Sequence, residues 1–488
     1  MDFPLLLAPD SPLPLHRQVY LGIRAAVLDG RLGRGQRIPS TRALAGLLQI
    51  SRTTASVACE QLTGEGYLEA RRGSGTYVAA RLPEDYLPPP TAPARPASAA
   101  PALSRFGARL ADLDPPPRPA AGLPYDFSPG CPALDAFPLD LWGRLLARQC
   151  RAASPGQLGY GADPAGHGPL REALAEYLRR SRAVRCEPEQ VLVLSGTQQA
   201  LDLAARVLVD PGETVAMEDP GYPGARRCFL AHGARLLPLP VGARGLELDA
   251  LQGARPRLVY LTPSHQYPTG RVLDLPRRLA LLAWAREQGA RQARGPLLFE
   301  DDYDSEFRFE GRPLPAMQGL DGAGTVLYSG TFSKVLFPAL RLGYLVVPPA
   351  LAQPMARALA VSCRQPPAME QAALAEAIRE GHFERHLRRM RALYGARREA
   401  LVAALSAHFS DRVTLLGANG GMQLLAQFPA TGPDAQLVRR AAALGVGLSP
   451  ASQCHLVPGP GQGFLLGFSA LSPARIREGV RRLASLFH

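Results

Sequence analysis

The chain reads as multidomain: an N-terminal winged helix-turn-helix, then an α/β domain on a mostly parallel sheet, with a smaller α+β lobe towards the C-terminus. Three observations predict this. Residues 11–80 hold two short helix patterns joined by a tight turn and followed by a hairpin pattern. Residues 81–123 change into Pro- and Ala-rich sequence with little periodicity. From 124 to 488, apolar strand patterns alternate with amphipathic helices. At 488 residues the chain is longer than one hydrophobic core holds, so several domains are expected.

In the first segment, His16 to Asp29 carries Val19, Ile23, Ala26 and Val27 at helical spacing, and Gly30 ends the run. Ser40 and Thr41 supply hydroxyls suited to cap a helix through Leu44, Leu47 and Leu48. Gln49-Ile50-Ser51 is a short turn, with Ser51 capping a second helix from Arg52 to Gly64. The hairpin runs Tyr67–Ala70, a tip at Arg71–Gly75, and Thr76–Val78. The tip's arginines place charge where a phosphate backbone or narrow groove would meet it.

Residues 81–123 carry Pro-Pro-Pro at 88–90 and again at 115–117. They read as a linker partly stiffened by polyproline II segments, which keeps two domains within reach without fixing their angle. An inert spacer has the same composition. In 124–488 the strand candidates are Val191–Leu194, Thr214–Met217, Leu258–Leu261, Leu297–Glu300 and Thr325–Tyr328. Helices fit Pro169–Ser181, Gln198–Leu208, Leu275–Gln288 and one long helix Pro349–Arg379. Ligand sites are expected at the C-terminal ends of such strands. Residues from about 382 to 488, helix then strands then helix, read as the smaller lobe.

With 46% hydrophobic and 20% charged residues the chain has ample apolar content for packed cores. The net charge of +13 suits a polyanionic partner but is spread along the chain. Seven scattered cysteines without a Cys-x-x-Cys pair argue for reduced thiols and against a disulfide framework or zinc site. The proline-interrupted N-terminus lacks the basic start of a signal peptide, and no membrane-length apolar segment is read, so a cytoplasmic protein without a membrane partner is expected.

One residue stands out chemically. Lys334 is the one lysine among 55 basic side chains; all the others are arginine. A guanidinium stays protonated and cannot attack a carbonyl, whereas a primary amine forms a Schiff base. Three loops add polar groups. Ser195-Gly196-Thr197-Gln198 follows a strand and opens a helix, as a phosphate site or a plain helix cap does. Tyr222 sits in Glu218-Asp-Pro-Gly-Tyr-Pro-Gly, a rigid turn; its ring suits a planar ligand, and a core tyrosine has the same signature. Glu300-Asp301-Asp302-Tyr303 ends an apolar strand with acids that are costly to bury without a cation. A metal is the rival reading there, but no histidine or cysteine accompanies them at ligand spacing, so none is expected.

Several motifs carry family resemblances. Ile38-Pro-Ser-Thr-Arg42, Ser51-Arg52-Thr53-Thr54, Glu65-Gly-Tyr-Leu and Arg72-Gly-Ser-Gly-Thr-Tyr-Val resemble the winged helix-turn-helix of GntR-type transcription regulators. That resemblance implies contacts to double-stranded DNA from Arg42, Ser51, Arg52 and Thr53, and from Gly73 and Ser74 at the wing. Ala55 and Cys59 depart from it, replacing a larger valine and tyrosine. The later motifs resemble fold-type I aminotransferases from about residue 125 onward, which implies pyridoxal 5'-phosphate. The resemblance assigns the Schiff base to Lys334, the pyridinium nitrogen to Asp301, the phenolate oxygen to Tyr303 and ring stacking to Tyr222. It assigns the phosphate to Ser195, Gly196, Thr197, Thr331, Ser333 and Arg341. Tyr160 resembles the tyrosine that reaches the partner subunit's phosphate, implying a homodimer.

Two positions depart from the aminotransferase pattern. Tyr267 replaces the asparagine that precedes Pro268, so the phenolate contact is expected to shift to His265 or Gln266. Leu465 occupies the usual place of the substrate-carboxylate arginine, leaving Arg226 or Arg227 as substitutes. Nearly full length, the chain resembles the MocR/GabR-like regulators. This implies a pyridoxal-phosphate-dependent transcription regulator that senses an amine, an amino acid or a B6 vitamer through Schiff-base chemistry at Lys334. The alternative is an aminotransferase with an appended DNA-binding domain, in which transaminase activity persists.

Overall fold

The computed structural model describes residues 5, 7, 8, 10–86, 102–114, 122–160, 163–242, 245–311, 314–428, 434–457 and 463–487. The polyproline stretches 88–90 and 115–117 lie outside them. The chain divides into two compact units, residues 1–102 and 103–488. Among the described residues no helix is long and apolar enough to cross a membrane.

In the first unit, α1 (Leu15–Leu28), α2 (Thr41–Leu48) and α3 (Arg52–Gly64) bury Val19, Ile23, Leu44, Ala55 and Leu62 in one core. Ser40 caps α2 by accepting from Ala43 N, and Ser51 caps α3 by accepting from Thr54 N at 3.0 Å. Gln49 turns the chain between them with φ 53°. Strands β1 (Leu68–Arg71) and β2 (Gly75–Val78) pair antiparallel, Leu68 opposite Val78, and close the core. Ala55 and Cys59 are both buried in that core.

The second unit begins inside the expected linker. Helix α4 (Arg105–Ala111) is capped by Ser104, and its Arg109 Nε donates to Ala231 O at 2.7 Å. The Phe106 ring lies 5.1 Å from that of His232. This part of the Pro/Ala-rich stretch is therefore docked, through contacts that periodicity over seven residues does not reveal.

Strand β3 (Tyr125–Asp126) precedes the main sheet, formed by β4 (Val191–Leu194), β5 (Thr214–Asp219), β6 (Arg235–Gly242), β7 (Gly245–Leu246), β8 (Leu258–Leu261), β9 (Leu297–Asp302), β10 (Val326–Thr331) and β11 (Gly343–Val346). Their order is β4-β11-β10-β9-β8-β5-β6-β7. Pairing is parallel from β10 across to β6, and β11 runs antiparallel to both β10 and β4. Helices cover the sheet, so β4, β8, β10 and β11 are buried throughout, and β4 and β8 read as continuous apolar runs. The C-terminal ends of β4, β9 and β10 bring Leu194, Asp302 and Thr331 to one edge, where the loops carrying the site begin.

Two expectations are corrected. The long helix Pro349–Arg379 is two helices, Pro349–Cys363 and Ala368–Arg379. Pro366-Pro367 breaks it, because two consecutive residues lack an N–H and each disfavours helical backbone at the residue before it. The smaller lobe also takes in more than residues 382–488. It holds the helix His382–Phe409, strands β12 (Thr414–Leu416), β13 (Gln423–Gln427), β14 (Val446–Gly447), β15 (Ser449–Pro450) and β16 (Gly463–Gly467), and the helix Pro473–Ala484. β3 pairs in parallel with β14, Tyr125 opposite Val446, so chain from the start of the unit is built into the lobe.

Candidate functional site

A cavity of about 270 Å³ opens at the C-terminal edge of the sheet, against the lobe. Its wall includes Lys334, Asp301, Tyr303, Tyr222, Gly196, Thr197, Thr331, Ser333 and Arg341. Nine predicted site residues are thus brought together from five separate stretches of chain.

Lys334 follows β10, and its Nζ donates to Gly130 O at 2.8 Å. Gly130 has φ 71°, and a Cβ there would lie 2.4 Å from the amine, so glycine is required at this approach. Burial lowers the Lys334 pKa, opposed by the nearby Asp304. A depressed pKa leaves more of the amine neutral and nucleophilic.

Asp301 is 3% exposed. One carboxylate oxygen accepts from Tyr260 OH at 2.8 Å; the other, Oδ1, has no hydrogen-bond partner among the described residues. The Thr197 hydroxyl is near enough to lower its pKa, yet is itself unpartnered within hydrogen-bond geometry. Burial dominates and raises the Asp301 pKa to about 7. The neighbouring acids of this strand are spent elsewhere. Asp302 pairs with the buried guanidinium of Arg182 at 2.8 Å and accepts from Tyr328 OH at 2.5 Å. Glu300 accepts from the N–H groups of Met317 and Gln318 at 2.9 and 3.0 Å, at the start of a short helix. Only Asp301 of the three faces the cavity.

At the other end, Gly196 takes φ 119° as the strand β4 gives way to a helix beginning at Thr197. A Cβ on Gly196 would lie 3.7 Å from Thr331 Oγ1 and 3.9 Å from the Arg341 guanidinium, which brackets a small polar cradle. Arg341 adopts φ 51° and forms no ion pair among the described residues. Ser195 stands apart: its N–H donates to Gln199 Oε1 at 2.6 Å, and the residue does not line the cavity.

Tyr222, Tyr267 and Tyr303 form a run of edge-to-face rings, with centroids 5.5 and 6.1 Å apart. Tyr267 itself forms part of the wall. His265 and Gln266, expected to take over the asparagine's contact, lie behind it. His265 Nδ1 is 3.0 Å from both the Tyr303 hydroxyl and Asp304 Oδ2, while Gln266 Nε2 donates to the carbonyls of Pro220 and Tyr267. Asp304 also accepts from Met422 N at 3.3 Å. The expected direct contacts of His265 and Gln266 are therefore replaced by support of the wall. Arg226 is likewise committed, donating to His455 O and Gln453 O, and neither Arg226 nor Arg227 lines the cavity. Tyr160 is 80% exposed beneath the Arg364 guanidinium, outside this chain's own cavity.

Sequence reasoning missed Tyr260, Asp304, Met422 and Gln423 in or behind this wall. Tyr260 carried a signal: a tyrosine inside a fully apolar strand needs a partner for its hydroxyl. Away from the cavity, Asp202, Cys228 and His232 bring ligand atoms within 4.8 Å of one another, but that carboxylate is already shared by His232 and Arg206. In the first unit, Arg42, Ser51, Arg52, Thr53, Gly73 and Ser74 are all exposed.

The donor set suits pyridoxal phosphate. An amine, a buried carboxylate with one empty acceptor site, a phenol, an aromatic wall and a cationic cradle occupy a single cavity. The sequence profile of the class I and II aminotransferases matches residues 138–483, and that of the bacterial regulatory proteins of the gntR family matches residues 15–78. The chain is 44% identical over 487 residues to the probable rhizopine catabolism regulatory protein MocR of Rhizobium meliloti, covering 99% of this chain and 96% of that one. It is 32% identical to the pyridoxine biosynthesis transcriptional regulator PdxR of Corynebacterium glutamicum, covering 96% and 95%. Among solved structures, the α-aminoadipate aminotransferase LysN of Thermus thermophilus, complexed with N-(5'-phosphopyridoxyl)-L-leucine, superposes with a TM-score of 0.70 at 32% identity, covering 78% of this chain and 96% of that chain.

Proposed function

Because this chain belongs to the MocR-type transcription regulators, in which a gntR-family DNA-binding domain precedes a class I and II aminotransferase domain, we propose that it binds double-stranded DNA and changes that binding when a primary amine enters the cofactor site. When bound, pyridoxal phosphate supplies an aldehyde that condenses with amines. Lys334 would hold that carbon through its side-chain nitrogen, and an incoming primary amine would compete for the same position. Asp301 would offer its Oδ1 to the pyridinium N–H, and Tyr303 would donate to the phenolate oxygen. Gly196, Thr331, Ser333 and Arg341 would hold the phosphate, and Tyr222 would cover the ring. The observation that carries this reading is that the chain's single lysine shares one cavity with a buried carboxylate whose Oδ1 has no hydrogen-bond partner among the described residues.

The winged helix is assigned to residues 11–80 and the effector domain to 124–488, joined by the segment 81–123. Arg42, Ser51, Arg52 and Thr53, with Gly73 and Ser74 on the wing, make the DNA-facing set. A homodimer is part of the proposal, with Tyr160 directed at the partner's phosphate; the exposure of Leu158, Tyr160 and Val361 supports it. Seven free cysteines support a cytoplasmic setting.

Sustained transamination of amino acids is the weaker reading. Among the described residues Arg341 is the one guanidinium lining the cavity, and it belongs to the phosphate end, which leaves an α-carboxylate without a cation. DNA binding measured with cofactor, across a panel of amines, amino acids and B6 vitamers, tests the proposal. At least one amine is expected to change the affinity. A response to pyridoxal phosphate alone and to no amine would replace amine sensing with cofactor sensing.

A further inference from the structure

We propose that the amide of Gln423 reads an uncharged oxygen, a hydroxyl above all, on the amine that enters this site, so that amino alcohols are preferred over amino acids. This rests on the amine-sensing role above. Gln423 opens β13, is 3% exposed and lines the cavity that holds Lys334. Its Nε2 has no hydrogen-bond partner among the described residues. A buried polar group left unpaired costs free energy, which a ligand oxygen at that place recovers.

Thr197, Asp301, Tyr303, Thr331, Ser333 and Arg341 are taken up by the cofactor in the reading above, and three further polar groups of the wall are committed within the chain. Gln198 Nε2 donates to Gly224 O at 3.3 Å, the Thr262 hydroxyl to Glu218 at 2.6 Å, and Tyr260 OH to Asp301. The register explains why the amide has room. Gln423 pairs opposite Gly467, which has no side chain to fill the space. Leu425 and its partner Leu465 continue the same face, two residues along, with apolar side chains. Gln427, the next polar residue on that face, is exposed at the far end of the strand, so the Gln423 amide is the polar group at the buried, cavity end of the face.

Charge decides against a carboxylate here. Arg341 is held beside Gly196 and Thr331, while Asp301 and Asp304 add acidic groups to the same wall. A carboxylate against Gln423 would be desolvated without a guanidinium to pair with it. A hydroxyl both donates and accepts, so it satisfies the amide in either of its two orientations.

The test uses the full chain loaded with cofactor, following cofactor absorbance during titration with ethanolamine, propylamine and β-alanine, with concentrations expressed as free base. Ethanolamine should half-saturate at a concentration about tenfold lower than propylamine, its isostere without the hydroxyl, and lower than β-alanine. In Gln423→Leu the ethanolamine-to-propylamine ratio should fall to near one, and Gln423→Met should repeat this should leucine disturb the strand. Equal half-saturation in the wild type, a preference for β-alanine, or a ratio that survives both substitutions would overturn the proposal. If none of the three amines alters the absorbance, the amine-sensing reading itself fails and this assignment falls with it.

Discussion

Burial places the Asp301 pKa near 7, well above that of a free carboxylic acid, and this has a direct consequence for the cofactor-free protein. The folded state holds its proton more tightly than the unfolded chain, so between about pH 4 and about pH 7 it binds more protons there. Stability contributed by this group is full at low pH and falls as pH rises through that window. Asp301→Asn removes the ionisation, and should raise the melting temperature of the cofactor-free protein more at pH 8 than at pH 4. With cofactor the sign reverses, because the same carboxylate then faces a pyridinium. The variant should bind pyridoxal phosphate roughly tenfold to a hundredfold more weakly, the value of a hydrogen bond to a charged group. Spectroscopic titration of the two proteins gives that ratio.

Helix ends and buried pairs set the next predictions. Ser51 caps α3 through Thr54 N, and Ser51→Ala should cost about 1 kcal/mol of stability in the N-terminal unit, read from its denaturant midpoint. Arg182 neutralises the buried Asp302; Arg182→Met leaves that carboxylate without a cation and should destabilise the second unit by roughly 3–5 kcal/mol. These two elements also mark what could be read from the amino-acid order. The caps Ser40 and Ser51, the helix Arg52–Gly64 and strand β4 follow from local signals, and their bounds agree with the structure. The Arg182–Asp302 pair was not legible, since the partners are 120 residues apart and nothing local links them. Gln423 was invisible for a similar reason: its significance lies in what faces it, a glycine on one side and the cavity on the other. His265 and Gln266 were expected to take over the missing asparagine's contact, yet neither lines the cavity; their partners, Asp304 and Pro220, come from distant stretches that no local pattern reveals.

Across the whole chain, the single lysine and the surplus of arginine divide the labour. In the proposed function exposed arginines of the first unit face the DNA phosphates, so binding should weaken linearly in log affinity against log salt concentration. Arg52→Ala, an exposed position, should lower DNA affinity about tenfold or more while leaving the unfolding midpoint of the first unit unchanged. In the proposed function Lys334 is the point where ligand and cofactor meet, and a ligand shifts DNA binding only as far as it favours one conformation over the other. The direct measurement is DNA affinity of the full chain with saturating cofactor, before and after adding the most effective amine, in wild type and in Lys334→Ala. The wild type should change its affinity severalfold and Lys334→Ala should not respond; a Lys334→Ala protein that answers the amine as the wild type does would contradict the account.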